Sequence, residues 1–105
     1  MKVDESFDNK SVTILVGDMV ELSLAENPTT GFRWILASSG TPICELKADD
    51  FVAAGQKPGE GGRHNFTFLV REAGEATIAL HSRRKWADAD AGRDFTLNVR
   101  ATAAT

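Results

Sequence analysis

Apolar residues recur at every second position in a series of short segments, and that period turns one face of each segment inward. Val12, Ile14 and Val16 alternate and are punctuated by Gly17-Asp18. Val20, Leu22 and Leu24 come next and end in the turn-rich stretch 26–31. Phe32, Trp34 and Leu36 resume the pattern until Ser38-Ser39-Gly40 and Pro42 stop it. Phe66, Phe68 and Val70, then Ala76, Ile78 and Leu80, then Phe95, Leu97 and Val99 bring the strands to six, with a seventh expected around residues 43–47. Residues 48–54 can hold one helical turn, which Asp49 would cap. Short strands between turn signals, with no long helical period, predict a sandwich or a barrel.

The 105 residues suit a single domain over 1–105, with 1–9 and 101–105 frayed at its ends. A chain of this length buries roughly two thirds of the surface its unfolded form exposes, enough for one modest core. Cys44 is the sole cysteine, so no disulfide forms within the chain and burial must hold the fold. Between Ile43 and Leu46 it reads as a small buried hydrophobe, and no motif ties a histidine to it as a nucleophile. A net charge of −3 argues against nucleic acid as a partner. The one basic run, Arg83-Arg84-Lys85, is offset locally by Asp88 and Asp90. No apolar run is long enough for a membrane span, and residues 1–10 are charged and lack a signal core. The expected place is the cytoplasm, or the periplasm or exterior if a leader has been removed.

Three connections differ from ordinary hairpin turns. They are Asn27-Pro28-Thr29-Thr30-Gly31, then residues 55–62 with Gly59-Glu60-Gly61-Gly62, then residues 83–92. They follow the second, fourth and sixth strands, and alternate connections of a sandwich lie at the same end. All three should therefore cluster. The first has the chemistry of a rigid turn, which also pre-organises Thr29 and Thr30 for contact with a partner. The second reads as a flexible tip, or as a place where glycines let another backbone approach closely. No strand–loop–helix with a lysine follows it, so it is not a phosphate loop. In the third, Trp86 is nominally in phase with Leu80, yet charged residues surround it as though the strand had ended. It packs either on an edge or as an exposed anchor of the kind that dominates interfaces. Trp34, alternating with Phe32 and Leu36, belongs to the core.

Asn27-Pro28-Thr29-Thr30-Gly31-Phe32 with Trp34, then Gly59-Glu60-Gly61-Gly62, then Arg84-Lys85-Trp86 resembles the chagasin family of cysteine-protease inhibitors. That family carries an NPTTG motif, a GxGG motif and an RPW-like motif in this order. The resemblance implies an all-β, immunoglobulin-like β-sandwich of about seven antiparallel strands. It also implies reversible, competitive inhibition of papain-like cysteine proteases by a monomer that uses no cofactor or metal. Thr29, Thr30 and Gly31, with Asn27 and Pro28, would cover the protease's catalytic pair. Gly59, Gly61 and Gly62 would flank one side of the cleft, and Arg84, Lys85 and Trp86 the other.

Two other readings are weighed against this one. Catalysis would need His64, His81, Ser82 or Cys44 in a motif, and none is present; His81 and Ser82 are strand neighbours that point to opposite faces. The two histidines also lack metal-ligand spacing. A generic immunoglobulin-like adhesion or ligand-binding module without inhibitory activity is the alternative, since this architecture hosts many functions. Lys85 stands where the family favours proline, which would fix φ and stiffen the loop. Lys85→Pro is expected to tighten protease binding by about 0.4–1 kcal/mol, measured as an inhibition constant.

Overall fold

The computed structural model describes residues 1–27, 32–53, 55, 61–84 and 93–103, and within them the alternating segments are strands. These are β1 (Lys2–Val3), β2 (Lys10–Leu15), β3 (Met19–Glu26), β4 (Phe32–Ser38), β5 (Cys44–Ala53), β6 (Gly62–Val70), β7 (Gly74–Arg84) and β8 (Arg93–Thr102). They form two four-stranded sheets, ordered β1-β3-β6-β5 and β2-β8-β7-β4. Each connection from β2 to β3, β3 to β4, β4 to β5 and β6 to β7 passes from one sheet to the other, whereas β5–β6 and β7–β8 pair within a sheet.

The inward series of the two sheets meet in one core. Val20, Leu22 and Leu24 of β3, with Phe66, Phe68 and Val70 of β6, join Ile78 and Leu80 of β7 and Phe95, Leu97 and Val99 of β8. None of these is more than 2% exposed. Removing such a side chain from water contributes roughly 1.5–3 kcal/mol, so these residues dominate the favourable side of folding. Trp34 is buried with them, and Cys44 is fully buried, its thiol pushed above the ordinary pKa by that burial. A thiol held in its neutral form this way is a packing group.

Three expectations need correction. The sheets are mixed rather than wholly antiparallel: β1 pairs parallel with β3, and β2 pairs parallel with β8 from Lys10↔Leu97 to Leu15↔Thr102. Hairpins force antiparallel pairing, but these two strands join partners distant in sequence and are free of that constraint. Residues 1–9 are not frayed. Val3 is buried, the Met1 amino group donates to Met19 O at 2.7 Å, and a 3₁₀ turn at Glu5–Phe7 is capped by Asp4. Glu5 then accepts from Ala25 N at 2.6 Å and pairs with Arg63 at 2.8 Å. Likewise Ala101 is buried and paired with Gly74, so β8 runs into the expected tail.

The third correction concerns residues 48–53, which extend β5 instead of forming a helical turn. A register shift between Leu46 and Ala48 breaks the alternation there, which is why the strand is hard to read. Asp49 caps nothing; its carboxylate meets His64 Nε2 on the neighbouring strand. Phe68→Ala, at the fully buried centre of β6, is expected to destabilise the protein by about 3–5 kcal/mol, read as a lowered urea midpoint with an unchanged slope.

Candidate functional site

The strand register fixes where the three distinctive connections begin and end. In one sheet Glu26 and Ala53 both pair with Gly62, so the end of β3, the end of β5 and the start of β6 lie on one rung. In the other sheet Phe32 pairs with Arg84 and Ser82 with Arg93, so β4 and β8 start where β7 ends. The plain turns gather at the opposite pole. There Gly17 N donates to Val70 O at 2.8 Å, Val70 N to Asp18 O at 3.0 Å and Arg71 N to Ile43 O at 2.7 Å.

Side chains tie the two sheets together at the rim where the distinctive connections leave. Glu26, the last residue of β3, continues the inward series of Val20, Leu22 and Leu24 and is 5% exposed. Its Oε2 accepts the backbone N–H of Trp34 at 2.6 Å and lies 3.0 Å from His64 Nδ1. The Trp34 indole N–H donates to Ala25 O at 2.9 Å. Arg93 completes the rim, with its guanidinium 5.6 Å from the centre of the Trp34 ring. The connection 27–31 is thus clasped at both stems by one carboxylate and one indole.

His64 sits at the start of the inward series of β6 and stacks on Phe66, with ring centres 4.3 Å apart and planes 9° from parallel. Its two nitrogens face carboxylates from both neighbouring strands, Glu26 of β3 and Asp49 of β5. Burial pushes the ring toward its neutral form, but the hydrogen bonds to Asp49 and Glu26 and their charges outweigh it and raise its pKa above the ordinary value. Among the described residues, Glu26 Oε1 is the one buried side-chain polar atom without a hydrogen-bond partner.

Of the residues expected at the site, Asn27, Gly61 and Gly62 are described, and the structure brings them together. A side chain on Gly61 would lie 3.2 Å from Asn27 Cβ and from Glu26 O, and Gly61 has φ +73°, a conformation that favours glycine. Arg84 is described through its backbone pairing with Phe32. Pro28, Thr29, Thr30, Gly31, Gly59, Lys85 and Trp86 lie outside the described residues, as does the Arg84 side chain. Sequence reasoning missed Glu26, His64, Asp49 and Arg93 as the supports of this end. The signal for two of them was present, because Glu26 and His64 are charged or titratable groups in phase with inward apolar series.

His64 and His81 stand on different sheets, and His81 pairs with Asp94 at 2.7 Å on an exposed face. Among the described residues no group of His, Cys, Asp and Glu is arranged to hold a metal ion, and no helix is long and apolar enough to cross a membrane. Gly62 has a steric role that can be tested. A Cβ there would fall 2.1 Å from Val52 O and 2.9 Å from Ala53 Cα, so the end of β5 must move. Gly62→Ala is expected to cost about 1–3 kcal/mol in stability, measured by chemical unfolding.

Known proteins resemble this chain over most of its length. Residues 13–99 match the Chagasin family peptidase inhibitor I42. Amoebiasin-1 of Entamoeba histolytica is 35% identical over 104 residues, which cover 94% of this chain and 97% of that protein. Chagasin of Trypanosoma cruzi is 30% identical over 90 residues, 81% of this chain and 82% of its own length. The solution structure of Amebosin superposes with a TM-score of 0.79 at 33% identity, covering 96% of both chains. With its two sheets, its ordered motifs and these relatives, the chain belongs to the chagasin family of peptidase inhibitors.

Proposed function

We propose that this protein is a reversible, competitive inhibitor of papain-like cysteine proteases, acting as a monomer that fills the active-site cleft with three loops. The observation that carries this reading is the convergence of three stems at one end of a chain that belongs to a peptidase-inhibitor family. On this reading Asn27 to Gly31 cover the catalytic cysteine and histidine, Gly59, Gly61 and Gly62 lie to one side, and Arg84, Lys85 and Trp86 to the other. The architecture is assigned to the immunoglobulin-like sandwiches, a reading supported by two four-stranded sheets joined by repeated crossings.

Inhibition of this kind asks no bond-making of the inhibitor. The protein is accordingly read as a non-enzyme, consistent with a fully buried thiol and with histidines on separate sheets. Affinity comes from shape, and because the two sheets hold the stems of the connections, less ordering entropy is lost on association. Interfaces between proteases and their protein inhibitors bury roughly 1,600 Å² in total, an area three neighbouring loops can supply.

A panel of papain-like proteases, with serine proteases as controls, tests the reading. Inhibition confined to the papain-like enzymes, and competition with an active-site-directed blocker, are expected. An adhesion module would ignore free and blocked enzyme alike, and that result would remove the inhibitory reading. Within the panel, Trp86→Ala is expected to weaken inhibition by about 2 kcal/mol or more, roughly thirtyfold in the inhibition constant.

A further inference from the structure

We propose that His64, in its doubly protonated form, is the positioning residue that holds the stems of the first two loops in their binding-competent arrangement. The inference rests on the inhibitory reading above and extends it to a group outside the loops. Glu26 Oε2 lies 3.0 Å from Nδ1, and the Asp49 carboxylate meets Nε2. A carboxylate is an acceptor only, and a neutral imidazole carries one N–H. Both contacts are hydrogen bonds at once only when both ring nitrogens are protonated. In the neutral ring, one nitrogen lone pair must face a carboxylate.

The consequence for the loops follows from what the two carboxylates hold. Glu26 also accepts the Trp34 N–H, so the carboxylate that meets His64 is the one that closes the 27–31 connection. Asp49 stands on β5, whose far end pairs with Gly62 at the foot of the second connection. His64 is itself two residues from Gly62 and lies between Leu24 and Phe51 in the register. The imidazolium therefore bridges β3, β6 and β5 immediately beneath two loop stems. Losing one ring proton removes one arm of that bridge.

Among the described residues, few other charges compete for the ring. From β3 the group that faces it is Glu26 and from β5 Asp49, while Phe66 covers one ring face. Neighbouring Arg63 is held by Glu5 and by Ser23 on the outer side of the sheet. Across the core, Arg93 of β8 lies over Trp34. The balance of burial against two carboxylates raises the ring's pKa, so its contribution is complete below the ordinary value and is lost as pH rises through the raised one.

The test compares wild type with His64→Gln against one papain-like protease from about pH 5 to about pH 8.5, the range in which histidine titrates. Taking the ratio of the two inhibition constants cancels the protease's own titration. The ratio of variant to wild type is expected to be about tenfold at the acid end and to fall toward one at the alkaline end, a coupling of ordinary size. By reciprocity the ring's pKa, followed by NMR, rises when the protease binds. Should His64→Gln fail to fold, Asp49→Asn changes an exposed partner and is expected to move the midpoint of the inhibition profile to lower pH. A pH-independent ratio, or an Asp49→Asn profile superposable on wild type, overturns the positioning role while leaving inhibition intact. Absence of inhibition by wild type at every pH overturns the inhibitory reading and this inference with it.

Discussion

Two sheets must close over a shared apolar face, because no covalent link is present to hold them together. Cys44 is the only cysteine and is spent on packing, so the chain depends on continuous inward series from β3, β6, β7 and β8. That requirement explains the repeated crossings between sheets. Each crossing lets the next alternating segment present its apolar face from the opposite side of the core. It also explains the parallel additions at the N-terminus. β1 lies along β3 and β2 along β8, each giving an outer strand to its sheet, and the 3₁₀ turn between them carries the chain from one layer to the other.

A core of this kind has to end where the loops begin, and its ending is polar. The inward series of β3 runs Val20, Leu22, Leu24 and then Glu26; that of β6 runs back from Val70 through Phe68 and Phe66 to His64. Polar groups at such depth are costly unless each finds a partner. Here the partners are useful ones. β4 is an edge strand, and Glu26 accepts one of its backbone N–H groups. The indole of Trp34 brings apolar area and spends its one donor on Ala25 O. The contacts of Glu26 Oε2 and the indole fasten the first loop's stems to each other, while Glu26 Oε1 is left without a partner.

Much of this was legible in the alternation alone. The series at 20–24, 66–70, 76–80 and 95–99 fall within strands, that at 12–16 overruns β2 by one residue, and Trp34 lies in the core as its phase requires. What escaped had weak or broken period. β1 is two residues long with one buried side chain, too short to show alternation. β5 changes phase at its register shift, so Asp49 looked like a helix cap rather than a partner for His64. At the candidate site, the motifs pointed to the loops, whereas the supports stand on strands and carry no motif. Glu26 and His64 were discoverable only as charged or titratable groups continuing an apolar phase, and Asp49 and Arg93 only from the three-dimensional pairing.

The dependence of the loops on their stems has a geometric root. Gly62 takes part in two rungs at once, facing Glu26 on one side and Ala53 on the other. A strand that central, at the point where two connections leave, has no room for a side chain, and Val52 O occupies the space a Cβ would need. Gly61 lies against Asn27 and Glu26, so the stems of the first two connections touch. A surface assembled from distant segments behaves as one rigid patch only when its stems are joined in this way. The sheet hydrogen bonds supply that joining along β3, β6 and β5, and the Glu26–Trp34 contact carries it across to the second sheet, where β4, β7 and β8 meet the rim.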